Sequence, residues 1–427
     1  MRIISKATRI HFRPWVVPLL YVVLALVGEA VLPRLENYFL PHLKAQLSID
    51  SALALYSSIA SGMMALTGIV FSLTFLMVQF SATAYSPRLV MWIARDPVLS
   101  HALGIFTATF LYAIAALSWL DRTNSRKVLP INALSVIVLL LASVAMFIAL
   151  IQRVSLLQIN RMLLFTGNQG RKVIDQLYGR PGSVSTKTGT SSKVKPLPMQ
   201  VVLHRGRPQA LQDIDIRKLV ELARRHDGRV EIVAAVGDTV LEGTSLLHVY
   251  TVRTRIPEAE LRRAVQLGDE RTFDLDPKYA IRLLVDVAIR ALSPAINDPT
   301  TAVQALDQIG DLLARLGQRH LEIGEFYDDA GQLRLMADFP SWEDFLHLGF
   351  EEILSYGAKS VQVMRRMKAL VADLLAVLPP ERHAAVRYWR ERLHNSIGRS
   401  FEDAEEKISA SAEDRQGLGI TRRSVSA

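Results

Sequence analysis

The chain has 427 residues, half of them apolar, and a mean hydropathy of +0.21, so a large part of it is expected to sit in something other than water. It contains no cysteine, which excludes disulfides, thiolate nucleophiles, iron–sulfur clusters and cysteine-based zinc sites. In so apolar a chain the net charge of +9 is read as a basic cytoplasmic face, and nothing in the pattern points to nucleic acid.

Four apolar stretches come first, at about residues 15–32, 53–83, 97–120 and 131–151. Each meets or nearly meets the roughly 20 residues that carry a helix across about 30 Å of hydrocarbon. They lack the alternation of strands, and lipid admits only helices or closed barrels, so four transmembrane helices are expected. The first could pass for a signal peptide, but Pro33-Arg34-Leu35-Glu36 is a poor cleavage region, and it is read as retained. Lysines and arginines near the helix ends divide ten against five. Arg2, Lys6, Arg9 and Arg13, with Arg88, Arg95 and the basic residues after the fourth helix, fall on the richer side. That bias predicts an inner-membrane, multi-pass protein with both termini cytoplasmic.

The second helix is the unusual one. Thirty-one residues at 1.5 Å rise span about 46 Å, more than the hydrocarbon core, so it must tilt or protrude. Small or mildly polar residues repeat along it on a heptad: Ser58, Ala65, Ser72 and Gln79 at one position, Ser61, Gly68 and Ala82 at the other, with Phe75 the bulky exception. Two readings stand: close helix packing, since small residues let backbones approach in lipid, and a water-filled path in an oligomer around a pore. Thr67, Thr74 and Ser81 lie on another face and are expected to bond carbonyls one turn back. Membrane charges are nearly absent; Glu29 lies toward the outer end of the first helix, within reach of the interface, which argues against proton-coupled transport. Trp15, Trp92 and Trp119 fit interfacial belts.

The fourth helix is expected to continue as a stalk, with Gly167 and Gly170 as potential breaks, followed by a flexible basic linker to about residue 199. From residue 200 the pattern is mixed. Residues 200–204, VEIVAAV and LLHVYTV read as strands, and 215–225 as an amphipathic helix stopped by Asp227-Gly228. The Gly237-Asp238…Gly243 turns resemble those of small β barrels and of lipoyl or biotinyl modules, but no Lys lies between Lys218 and Lys278, so only barrel-like geometry is kept. Helices are expected to start at Asp276-Pro277 and Asp298-Pro299. A hairpin turns at Asp328-Asp329-Ala330-Gly331, one long helix covers 342–378 and another 381–400.

Chemistry-bearing motifs are few. In ALSPAINDPTTAV the polar pair Asn297 and Asp298 could offer oxygen ligands to a cation; Asp at the N-cap with Pro after it is the plainer reading, repeated at Asp96 and Asp276. The ten histidines form no metal-binding pair. Gly357-Ala358-Lys359-Ser360 lacks the Gly-Lys of a phosphate loop, and Arg365, Arg366 and Lys368 read as a solvated or headgroup-facing surface. No cofactor, metal or catalytic group is expected, and the chain is read as not an enzyme.

Residues 61–90 and 271–313, with the turns at 237–243 and the later hairpin, resemble the signature blocks of an uncharacterised bacterial membrane-protein family, domain of unknown function 2254. The resemblance covers nearly the whole chain and implies four N-terminal membrane helices and a cytoplasmic C-terminal domain, with no established activity. The expected layout is a four-helix transmembrane domain (1–155), a stalk and linker (156–199), an α+β cytoplasmic domain (200–410) and a disordered tail (411–427). The expected partners are the bilayer and other copies of the chain, with any cytoplasmic partner unspecified. The leading functional expectation is a homo-oligomeric channel with Ser58, Ser61, Ala65, Gly68, Ser72 and Gln79 lining or packing at its axis; the alternative is a non-conducting sensor or scaffold.

Overall fold

A computed structural model describes residues 16–39, 48–84, 97–122, 130–154, 159–179, 197–250, 253–273 and 276–418. They fall into two compact units, one ending at residue 158 and one running from Ile159. The architecture is an α-helical membrane domain followed by a mixed α+β domain.

The first unit holds α1 (Val16–Phe39), α2 (Ile49–Ala84), α3 (Pro97–Arg122) and α4 (Pro130–Val154), and each contains a stretch long and apolar enough to span a membrane. Helix α3 packs against the other three. It does so with small side chains: Ala102, Ala108, Ala113 and Ala116 are buried. A Cβ on Gly104 would lie 2.7 Å from the Tyr21 ring and 3.3 Å from Pro18 Cα, so α1 can approach only because that position is glycine. Two polar pairs tie α3 to α4. Thr109 and Ser143 share a hydroxyl bond of 2.9 Å, and Tyr112 donates to Asn132 Oδ1 at 3.0 Å. Trp119 is half-buried near the end of α3; Trp15 and Trp92 lie outside the described residues.

In the second unit, α5 (Ile159–Leu177) is not a free stalk. Met162, Leu163, Val173, Ile174 and Leu177 bury one face of it against α8 (Pro277–Ala291) and α9 (Pro299–Gly317). Gly167 and Gly170 do not break it; at Gly170 a side chain would collide with Leu312 and Ala280, so the glycine marks a close helix crossing. Arg171–Asp311 at 2.5 Å and Arg319–Asp175 at 2.6 Å flank the α5–α9 seam. The linker residues 180–196 lie outside the described residues.

The β layer is built on β1 (Gln200–Leu203), β2 (Gln209–Ile214), β3 (Arg229–Ile232), β4 (Thr239–Val240), β5 (Ser245–Tyr250), β6 (Val265–Gly268), β7 (Glu325–Tyr327) and β8 (Leu333–Ala337). The larger sheet runs β1-β5-β3-β8-β7, the smaller β4-β2-β6, so the geometry is two open sheets rather than a closed barrel. Strands β3 and β8 are parallel, with Val230 opposite Leu335. Together with α6 (Ile216–Arg225) and α7 (Glu258–Arg262) the sheets enclose one core containing Val202, Leu211, Leu219, Val230, Leu247 and Leu335.

The long helix expected over 342–378 is two, α10 (Trp342–Gly357) and α11 (Val361–Val377). The Gly357–Ser360 stretch is the break: Gly357 sits against Val363 and Leu292, and Ser360 accepts the Val363 N–H to cap α11. Arg365 and Arg366 are not a solvated surface. They are 6% and 8% exposed, and Arg366 Nε donates to Asp307 at 2.6 Å. Helices α12 (His383–Ser400) and α13 (Ala404–Ser411) complete the unit. Structure also continues into the segment expected to be a disordered tail. Asp414 is buried and Gln362 donates to the Gly417 carbonyl at 2.6 Å; residues 419–427 lie outside the described residues.

Candidate functional site

Helix α2 presents two unlike faces. Ala52, Tyr56, Ile59, Ala60, Met63 and Val70 are buried in the bundle. Ser58, Ser61, Ala65, Gly68, Ser72 and Gln79 are all exposed, so the heptad stripe points away from the chain's own helices. Ser61, Ala65, Gly68 and Ser72 line a shallow, open groove, walled by larger side chains such as Met64, Ile69 and Leu76. Side chains added at Gly62 or Gly68 would meet nothing within 4 Å. Thr67 and Thr74 instead donate to Met63 O and Val70 O, each at 2.7 Å, which satisfies their hydroxyls within the helix. Ser81 and Ala82 lie outside the residues whose side chains are described. Glu29 does not reach the surface of the unit: it is 7% exposed, and its Oε1 meets no hydrogen-bond partner.

The Asn297–Asp298 turn is a helix cap by geometry. Asn297 takes a left-handed backbone at φ 49°, which its short amide tolerates. Asp298 Oδ1 then accepts the Thr301 N–H at 3.1 Å and Oδ2 the Thr301 hydroxyl at 2.6 Å. Both of its oxygens are occupied by α9 itself. Among the described residues no group of three or more His, Asp or Glu side chains is arranged to hold a metal ion.

Asp276 opens α8 as expected, but its side chain does not cap the helix as the Asp-Pro pattern predicts. It is 1% exposed, makes no cap bond, and neither carboxyl oxygen meets a donor. Burial pushes its carboxyl up from the ordinary 3.8 to about 6, against the pull of Lys278 and Arg271. The first-turn N–H groups of Lys278 and Tyr279 pull the same way as those cations, without reaching hydrogen-bond geometry. Beside it is a cavity with about 20 Å³ of room, enough for about one water, whose lining includes Tyr178, Ala235, Lys278, Asp338 and Pro340. The Tyr178 hydroxyl is likewise buried without a partner, and burial together with Asp276 raises its pKa. Locally the two starts differ at the third helical residue, where Thr301 gives Asp298 a hydroxyl donor and Tyr279 offers Asp276 no short hydroxyl. A second difference is Gly237, distant along the chain, where a Cβ would overlap Asp276 Oδ2.

The uncharacterized proteins Mb1321c of Mycobacterium bovis and Rv1290c of Mycobacterium tuberculosis are each 28% identical to the chain over 407 residues, covering 92% of it and 78% of the relative. No solved structure matches. The model of a family described as predicted membrane protein, DUF2254, matches residues 13–373, which takes in all four apolar helices and the second unit as far as α11; the chain belongs to that family.

Proposed function

We propose that this membrane protein assembles as a homo-oligomer with α2 facing a shared axis, and that the assembly conducts ions across a bacterial inner membrane. In this reading both termini and the unit from Ile159 onward are cytoplasmic, and the chain is not an enzyme. One observation carries the proposal: Ser58, Ser61, Ala65, Gly68 and Ser72 are left uncovered by the bundle that buries the opposite face of α2. Small residues at an uncovered helix face in lipid allow a second helix to approach closely, and a ring of such helices with hydroxyls toward the axis is wettable.

The test is electrical and chemical together. Purified protein in planar bilayers conducts, and Gly68→Trp or Ser72→Trp blocks or alters the current. Because the chain has no cysteine, Ser61→Cys is its sole thiol and should cross-link between copies under mild oxidation. No current under any salt, voltage or tension, with Ser61→Cys remaining monomeric, refutes the proposal. The second reading, a non-conducting sensor or scaffold, is favoured by the buried carboxyl of Asp276, which makes no hydrogen bond and which conduction does not use. Cross-linking without current would select it.

A further inference from the structure

Two Asp-Pro pairs open successive helices of the C-terminal unit, and they are in different states. Asp298 caps α9 with both oxygens. Asp276 has the same proline at the first helical position, yet its side chain makes no cap hydrogen bond with the nearby α8 N–H groups and lies against Gly237. That glycine serves twice. Its left-handed φ of 92° makes the turn into β4, and its missing Cβ is the seat of the carboxyl oxygen. A buried carboxylate without donors is costly, and a proton relieves that cost without needing any further space.

We propose that Asp276 is a proton-operated helix cap: protonated, its carboxyl rests in the cavity against Gly237; ionised, it turns to the first-turn N–H groups of α8 and loosens the turn at 234–238. The α9 cap shows that an Asp-Pro start on this scaffold can hold the second arrangement. The groups around the carboxyl are accounted for element by element. Lys278 on α8 and Arg271 before it favour ionisation. Tyr178, just past the end of α5, is buried and neutral at ordinary pH. Asp338, following β8, lines the same cavity, and Asp238 in the Gly237 turn is engaged by the Ala235 N–H at 2.9 Å. The raised pKa of Asp276, about 6, puts the changeover just below neutral pH. The switch stands on the C-terminal unit by itself and holds whether or not the assembly conducts.

Hydrogen exchange of the full-length protein in detergent micelles, corrected for the intrinsic pH dependence of amide exchange, reads the switch. Protection of residues 234–238 should fall about tenfold between about pH 5 and about pH 7.5, while the first turn of α8 gains protection. Asp276→Asn, held neutral, should show neither change. Lys278→Met removes a cation that favours ionisation and should move the midpoint to higher pH. A pH-independent wild type, an Asp276→Asn protein that titrates like wild type, or a Lys278→Met midpoint that stays put or falls overturns the proposal.

Discussion

Replacing Asp276 by Asn should stabilise the protein at neutral pH, contrary to the usual outcome of changing a buried residue. The folded-state pKa of about 6 stands above the ordinary 3.8, so the folded state holds its proton more tightly than the unfolded chain. For an acid shifted upward, stability is greatest below the unfolded pKa. It declines as pH rises between the two values and stays at its lower level above the folded one. The difference of roughly 2 units corresponds to about 3 kcal/mol at 1.36 kcal/mol per unit. That figure is an upper bound, since any movement of the ionised carboxyl onto the α8 N–H groups recovers part of it. Asn keeps the shape, retains capping ability and carries no charge to desolvate. In thermal unfolding of the full-length protein in micelles, followed through the exchange protection of α8 and α9, the variant should melt several degrees higher at about pH 7.5. At about pH 4 the two proteins should melt together. Equal differences at both pH values, or a variant less stable at pH 7.5, would show that the burial of this carboxyl is not what sets its energetics.

Gly104→Val should cost about 1–3 kcal/mol by forcing α1 off α3, seen as a lower melting temperature and loss of the monodisperse peak in detergent. Arg366→Met should destabilise by about 1–3 kcal/mol; Asp307 is 46% exposed, so water compensates part of the lost pair, and adding Asp307→Asn should recover some of the loss. Ser341→Ala removes one half of a capping box in which Ser341 and Asp344 bond each other's backbone, and should cost α10 about 1 kcal/mol, measurable as faster exchange of its first-turn amides. Glu29→Gln removes a buried charge from the membrane unit and should leave assembly intact or raise thermal stability; loss of folding would show that the carboxylate is paired in the native bundle.

The membrane half was legible because lipid imposes one strong rule on sequence, and four apolar runs of spanning length satisfy it. The strands at 200–203, 229–232 and 245–250, the helices behind Asp276 and Asp298 and the later hairpin also followed from periodicity and turn residues. Strands β2 and β6 did not, since Gln209–Ile214 and Val265–Gly268 mix polar and apolar residues without alternation and are held by pairing to each other. Arg365 and Arg366 misled because arginine reads as surface, and only the fold brings Asp307 to one of them. The break at Gly357–Ser360 was hidden because helical spacing resumes on its far side. The helix start at Asp276 was legible but the missing cap bond was not: Tyr279 in place of a residue like Thr301 is a slight local sign, and the seat against Gly237 is set by the fold.

The stripe on α2 was visible in sequence, but which way it faced was not, and the other membrane helices supply the control. The uncovered residues of α1 include Leu19, Leu20, Val23, Leu24 and Val27, and those of α4 include Leu134, Val138, Leu141, Val144 and Ile148. Large aliphatic side chains are what a lipid-facing surface favours. If α2 met only lipid along Ser58, Ser61, Ala65, Gly68 and Ser72, the same selection should have filled that line with leucine and valine, as it did at Ile69, Leu73 and Leu76 beside it. The hydroxyls sharpen the contrast. Thr67 and Thr74 are satisfied by their own helix at 2.7 Å, whereas Ser58, Ser61 and Ser72 point outward with no hydrogen bond among the described residues. A hydroxyl turned toward hydrocarbon without a partner is unfavourable, and it becomes acceptable when another helix or water meets it. A helix alone would make the stripe an interface; water along part of it would make the interface a path. Ser72→Leu separates these, since it restores the side chain lipid favours: it should weaken cross-linking through Ser61→Cys if the stripe packs against another copy, and reduce current without loss of cross-linking if Ser72 faces water.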